Sequence, residues 1–104
     1  MTMRLSLIVL RSVDPERLSA FYVKLGIDMI QERHGAGPIH FAGNLESGVI
    51  EIYPAKVPAK MTFGLMVKSL GAFTSAWLSA GGSASATGML VDPDGNSVHL
   101  SESN

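Results

Sequence analysis

Two amphipathic helix patterns, 55 residues apart, constrain the fold of this chain more than any other feature. The first has apolar residues at i, i+3, i+4 and i+7, namely Leu18, Phe21, Tyr22 and Leu25. The second repeats this spacing at Phe73, Ala76, Trp77 and Ala80. Gly26 and Gly81 follow the two patterns, and glycine readily takes the left-handed conformation that ends a helix. The chain therefore contains two copies of one structural unit.

The helix starts carry their own signals. Asp14 is a good N-cap and Pro15 is favoured at the first helical position, so the first helix is predicted from Pro15 to about Leu25. Ser69 is predicted to cap the second helix.

Short apolar segments separated by turn residues predict the strands around each helix. In the first half, the run 3–12 is expected to be buried on both faces, and 28–33, 38–43 and 48–53 to form an antiparallel meander. In the second half, a strand is predicted at 61–67 and two or three short strands after the helix, the clearest at 88–91 and 97–101. The segment 92–96, Asp-Pro-Asp-Gly-Asn, predicts a tight hairpin turn.

These elements give an α+β domain of two βαβββ modules, 1–54 and 61–104, joined by a linker at 55–60. The modules are expected to form a pseudo-symmetric, partly open curved sheet with a central cavity. The last strands of the two halves align at an offset of 48 residues, so Glu51 and His99 are equivalent positions in the two copies.

Composition excludes several function classes. The net charge is −1 and there is no basic run, so neither a nucleic acid nor an anionic membrane is the expected partner. Cysteine is absent, which excludes disulfides, thiolate nucleophiles and Cys-ligated zinc. The longest apolar stretch near the start has four residues, too short for a signal peptide core or a membrane span, so a cytoplasmic protein is expected.

Two motifs resemble those of a known superfamily. Residues 13–26, with Val-Asp-Pro-Glu-Arg-Leu at the start and Leu-Gly at the end, are similar to the first helix of vicinal-oxygen-chelate proteins. Residues 91–98 are similar to the closing Asp-Pro-Asp-Gly-Asn hairpin of these proteins. The superfamily includes glyoxalases, bleomycin resistance proteins and dioxygenases, so the resemblance implies the fold but leaves the chemistry open.

Metalloenzymes of this superfamily hold their ion through a His on the first strand and a Glu on the last strand of each half. The resemblance assigns these four positions to Leu7, Glu51, Thr62 and His99. Only Glu51 matches, and His99 replaces a Glu. We therefore expect no cofactor. The alternative is a divalent zinc, nickel, manganese or iron ion held by Glu51 and His99. In a rearranged site of this kind, His40 would be the third ligand.

Strand alternation selects further candidates. Ile50 and Ile52 should face the helices, which puts Glu51 on the cavity face, and His99 takes the same face by the same reasoning. Glu51 is either a solvated carboxylate or a buried base or ligand. If Glu51 and His99 approach each other, they form either a general acid–base pair or a plain ion pair.

Four more positions are predicted to line a ligand site. Leu7 and Thr62 stand at the first-strand positions, and Arg11 either points inward to bind an acidic group or is solvated. His40, between Ile39 and Phe41, is either structural or functional.

Three functions stay open at this point. The first is a metal-independent binder of a small organic molecule, acting as a homodimer. The second is a glyoxalase-like (lactoylglutathione lyase-like) lyase or isomerase that uses Glu51 and His99. The third is a non-catalytic dimerising domain.

Overall fold

The computed structural model describes residues 1–103, which divide into two compact units. The first unit is Met1–Ala59 and the second begins at Lys60, so the boundary falls inside the predicted linker. Each unit contains one helix and one four-stranded mixed sheet. The predicted α+β fold of two βαβββ modules is confirmed.

The first unit forms a sheet with the strand order β1-β4-β3-β2. Its elements are β1 (Leu7–Ser12), α1 (Pro15–Lys24), β2 (Met29–Glu32), β3 (His40–Leu45) and β4 (Gly48–Pro54). Strands β2, β3 and β4 form the predicted antiparallel meander, and β1 pairs in parallel with β4. The central strand β4 therefore contacts residues of both β1 and β3.

The second unit repeats this topology with the strand order β5-β8-β7-β6. Its elements are β5 (Thr62–Val67), α2 (Leu70–Ala80), β6 (Ser83–Ala84), β7 (Leu90–Val91) and β8 (Ser97–Glu102). Strand β5 pairs in parallel with β8, as β1 does with β4. The two-residue strands β6 and β7 make this sheet the smaller of the two.

Both helix starts are capped as predicted. The Asp14 carboxylate accepts a hydrogen bond from the backbone N–H of Arg17 (3.2 Å), and the Ser69 hydroxyl accepts one from Ala72 (3.2 Å). These bonds satisfy backbone donors that lack a partner inside the helix. Gly81 ends α2 in the left-handed conformation, with a φ of 110°.

One face of the first sheet is buried under α1. Leu10, Ile50 and Ile52 are at most 1% exposed on that face. The helix contributes Leu18 and Tyr22, both fully buried. The prediction that the first strand is buried on both faces is wrong, because its residues toward the other face, such as Leu7 (46% exposed), have no helix above them.

Trp77 organises the core of the second unit. Its indole is fully buried, and Nε1 donates to the carbonyl oxygens of Ser83 and Val91, both at 3.1 Å. These bonds tie α2 to β6 and β7. A Cβ on Gly82 would overlap the Trp77 ring, so glycine is required beside it.

The predicted turn between β7 and β8 is present. The N–H of Gly95 donates to the carbonyl oxygen of Asp92 (2.9 Å), and the Asp92 carboxylate accepts from the backbone N–H of Asn96 (3.0 Å). The buried Asn96 side chain in turn accepts from the N–H of Met61 (2.9 Å), which fixes the start of β5.

Neither helix in the described part of the chain has the length and apolar run that crossing a membrane requires.

The contact at Trp77 makes a testable prediction. Gly82→Ala should lower the free energy of unfolding by about 1–3 kcal/mol, because overfilling a tight site displaces its neighbours. Gly71→Ala is the matched control, since an added Cβ on this glycine of α2 meets nothing within 4 Å. The control should stabilise the protein by about 0.5–1 kcal/mol. Urea unfolding of both variants measures the difference, and equal stabilities would contradict this account of the core.

Candidate functional site

A row of polar and aromatic side chains crosses all four strands of the first sheet, on the face opposite α1. Arg11 of β1 pairs with Tyr53 of β4, and Glu32 of β2 pairs with His40 of β3. Tyr53 and His40 meet between them, with their rings stacked. We call these four residues the cross-strand row, and this side of the sheet the helix-free face. Register alone brings together residues from four strands.

His40 is the most enclosed member of the row, at 1% exposed. Its ring stacks on Tyr53 with a centroid distance of 4.2 Å and an angle of 7°. Its Nδ1 lies 3.2 Å from the carbonyl oxygen of Pro38. Because a carbonyl oxygen only accepts hydrogen bonds, Nδ1 carries the proton, and this bond together with the stacking fixes the ring orientation.

The second ring nitrogen of His40 faces two carboxylates. Nε2 is 3.3 Å from Oε1 of Glu32 and 4.0 Å from Oε2 of Glu51. The side chains of Glu32 and Glu51 are 39% and 19% exposed, so both acids keep contact with water. Nε2 itself is buried and has no hydrogen-bond partner among the described residues. A buried nitrogen of this kind carries a free-energy cost until a proton, a ligand or a metal ion satisfies it.

Arg11 adds a positive charge at the other end of the row. Its guanidinium carbon lies 5.6 Å from the centre of the Tyr53 ring, within the range of a cation–π contact. The register places Arg11 on the same face as Glu51. Arg11 pairs with Tyr53, and Tyr53 is two residues after Glu51 on the same strand, so both point to the same side of the sheet. The structure thus brings three sequence-predicted residues, Arg11, His40 and Glu51, to one face of one sheet.

The second sheet has no such row. Met66 and Ser101 pair at the positions equivalent to Arg11 and Tyr53. His99 lies on β8 opposite Gly64 and is exposed, and Thr62 at the start of β5 pairs with Ser97 and is also exposed. Because His99 belongs to the second unit and Glu51 to the first, their pairing stays a prediction.

Two members of the row, Tyr53 and Glu32, are not singled out from the sequence. Tyr53 is two residues after Glu51, so the same alternation that orients Glu51 also places Tyr53 on its face. Glu32 follows once the turn between β2 and β3 is placed, which fixes its pairing with His40. The orientation of Tyr53 can therefore be predicted from sequence spacing, whereas the position of Glu32 requires knowledge of the strand register.

The four superfamily ligand positions do not fit a metal of the usual kind. Leu7 ends in hydrocarbon and Thr62 offers only a neutral hydroxyl. Catalytic zinc sites normally need three protein ligands of nitrogen, sulfur or carboxylate type. Glu51 and His99 are the remaining donors, so this set has only two of the three ligands that such a site normally needs.

Comparison with known proteins supports the fold. No protein-family model matches the sequence, and no curated protein matches it. Solved structures do match. A glyoxalase/bleomycin resistance protein from Albidiferax ferrireducens T118 is 21% identical, with a TM-score of 0.75, over 96% of this chain and 98% of that one.

Two further matches are ligand-binding proteins. An antibiotic-binding protein from Streptomyces sp. CB03234 is 16% identical, with a TM-score of 0.73, over 99% of this chain and 98% of that one. A bleomycin-binding protein in complex with bleomycin is 21% identical, with a TM-score of 0.66, over 99% of this chain and 100% of that one. At these identities the similarity shows the fold, and the protein has the glyoxalase/bleomycin resistance fold that its sequence motifs predict.

Proposed function

We propose that this protein is a small-molecule-binding member of the glyoxalase/bleomycin resistance/dioxygenase family that works without the usual catalytic metal. The observation that carries the proposal is the cross-strand row. It combines one guanidinium, two aromatic rings and a carboxylate, with a second carboxylate, Glu51, beside His40. A few convergent polar groups next to apolar surface are the usual composition of a ligand site.

The surroundings of the row indicate the kind of ligand. Leu7, Val9 and Val49 lie on the helix-free face beside Glu51 and leave apolar surface partly exposed. Glu32 and Glu51 place two carboxylates on this face, and Arg11 places one guanidinium there. We therefore propose an organic ligand with an apolar body, which packs on the aliphatic residues, and a basic or hydrogen-bond-donating group, which binds Glu51.

The structural neighbours agree with this class of function. One is described as antibiotic-binding and another holds bleomycin. These properties belong to those proteins, and they motivate the choice of bleomycin as the first probe for this one.

Ligand binding should raise the melting temperature of chelator-treated protein. At a hundredfold excess over Kd the expected stabilisation is about 2.7 kcal/mol, which corresponds to a shift of about 10 °C or more for a domain of this size. The probes are metal-free bleomycin and a panel of amphipathic organic cations, followed by differential scanning fluorimetry.

Glu51→Gln and Tyr53→Leu should reduce this shift, because the first removes the anion and the second removes the ring that holds His40 and Arg11. Arg17→Gln is the control, since Arg17 is exposed on α1, away from the helix-free face. The proposal is contradicted if no compound shifts the wild type, or if Glu51→Gln and Tyr53→Leu respond like the wild type.

One observation favours a second candidate, the glyoxalase-like lyase or isomerase. Glu51 lies 4.0 Å from His40, and a carboxylate beside an imidazole is a common arrangement for proton transfer. Within the first unit His40 is thus the imidazole near Glu51, and the predicted pairing of Glu51 with His99 stays a prediction.

If the protein is such an enzyme, Glu51→Gln should lower kcat about 100-fold or more while the melting temperature stays nearly unchanged. The assay follows turnover of the methylglyoxal–glutathione adduct. Arg17→Gln is a control on the exposed surface of α1 and should keep full activity. Equal turnover by the Glu51→Gln variant and the wild type would remove Glu51 from the mechanism.

We also propose that the protein acts as a homodimer. Strand β1 is an edge strand of its sheet, and Leu5 and Leu7 at this edge are 70% and 46% exposed. Exposed apolar edge strands tend to pair with another chain. Sedimentation equilibrium should give about twice the chain mass of 11.0 kDa, and a monomer at micromolar concentration would reject the dimer.

A further inference from the structure

We propose that Glu32, His34 and His40 form a binding site for a divalent transition-metal ion, with zinc as the best candidate. One ligand atom from each residue lies within 4.8 Å of the other two. These residues are none of the four superfamily ligand positions, and the site does not depend on the small-molecule function proposed above. Imidazole and carboxylate are donors that zinc accepts.

The first support is the geometry of the donor atoms. Oε1 of Glu32 lies 3.3 Å from Nε2 of His40 and 3.7 Å from Nε2 of His34. In a tetrahedral zinc site with bonds of about 2.0–2.1 Å, neighbouring ligand atoms lie about 3.3–3.5 Å apart. Two of the three donor distances are therefore close to those of a tetrahedral site, and the donor atoms of the two histidines lie within 4.8 Å of each other. A rotation of the exposed His34 ring would shorten that last distance.

The second, independent support is the unpartnered nitrogen of His40. Its Nε2 is buried, lies 3.3 Å from the nearer carboxylate oxygen and has no hydrogen-bond partner among the described residues. Because Nδ1 carries the proton shared with Pro38, neutral His40 presents a lone pair at Nε2, only 3.3 Å from a carboxylate oxygen. Two electron-rich atoms at this distance repel each other unless a cation lies between them.

A proton on Nε2 is the simplest such cation, and it would form an ion pair with Glu32 at 3.3 Å. It would not bind His34, whose Nε2 lies 3.7 Å from the same carboxylate oxygen. A metal ion binds Nε2, the Glu32 carboxylate and His34 together. The bond from Nδ1 to the Pro38 carbonyl is the kind of outer contact that orients metal-binding histidines.

The loop between β2 and β3 is shaped to present His34. Nε of Arg33 donates a hydrogen bond to the carbonyl oxygen of Gly37 (2.9 Å). The backbone N–H of Gly37 donates one to the carbonyl oxygen of His34 (3.0 Å). This closed turn brings the His34 ring to a centroid distance of 5.0 Å from His40. Three protein ligands leave a fourth coordination position for water or for an atom of a bound molecule.

The test is titration of the chelator-treated protein with zinc alone by calorimetry, and with cobalt(II) alone by visible absorption. One equivalent of zinc should bind, and cobalt(II) should give the intense visible bands of tetrahedral coordination. Magnesium and calcium should not compete, because they prefer oxygen ligands in larger numbers.

The variants change the exposed His34 and the partly exposed Glu32 and leave the buried His40 in place, so that folding is preserved. His34→Ala and Glu32→Gln should each lower zinc affinity about tenfold or more, since even outer-sphere contacts of metal sites often contribute that much. His99→Ala removes an exposed histidine outside the site and should bind zinc like the wild type. Circular dichroism checks that all three variants fold.

Absence of one-to-one zinc binding would overturn the proposal. So would unchanged affinity in both His34→Ala and Glu32→Gln, or loss of binding in His99→Ala. A second measurement reads His40 directly: its Nε2 resonance in ¹⁵N-labelled protein should shift on zinc addition, and an unmoved resonance would also overturn the site. The organic-ligand test is performed with chelator present, so the failure of one proposal is distinguishable from the failure of the other.

Discussion

The central strand of the first sheet determines where every group of the candidate site lies. Ile50 and Ile52 of β4 are buried under α1, so the residues that alternate with them must lie on the opposite face. Glu51 and Tyr53 therefore share the helix-free face. Because β4 pairs with both β1 and β3, the register that buries the isoleucines also sets Arg11 and His40 on either side of Tyr53. A shift of one residue would bury Glu51 and expose the core.

The two units have the same topology but differ in chemistry. The positions of Arg11, Glu51 and Tyr53 in the first sheet correspond to Met66, His99 and Ser101 in the second. In the second unit, the polar side chains of Asp92 and Asn96 are buried and stabilise the turn before β8. The internal repeat therefore explains the fold, while the cross-strand row lies in the first copy.

Much of the fold can be predicted from the sequence because its signals are local. The capping residues Asp14 and Ser69, the helix-ending Gly81 and the turn at 92–96 all act within a few neighbouring residues, and the structure contains each of them. The burial of β1 could not be predicted in the same way. An apolar run shows that a strand has apolar side chains on both faces, but not whether a second layer covers them.

The candidate site was harder to predict because it depends on pairing between strands. Alternation within β4 gives the orientation of Glu51, but the identity of its neighbour follows from how β3 aligns with β4. Counting positions across the internal repeat makes His99 the counterpart of Glu51, and the register within the first unit places Nε2 of His40 4.0 Å from the Glu51 carboxylate. His40 looks like a core residue in the sequence, since Ile39 and Phe41 flank it, and its near-complete burial agrees with that interpretation. Two facts about Nε2 of His40 are visible only in three dimensions: two carboxylates lie near it, and no described residue forms a hydrogen bond with it.

The central claim is that the helix-free face of the first sheet is where this protein binds its ligand. Mapping backbone amide shifts of ¹⁵N-labelled, chelator-treated protein during titration with a compound that raises its melting temperature tests this most directly. The account predicts that the largest shifts cluster on β1, β3 and β4 around Arg11, His40 and Tyr53. Shifts confined to residues beyond Lys60, with those three amides unmoved, would contradict it.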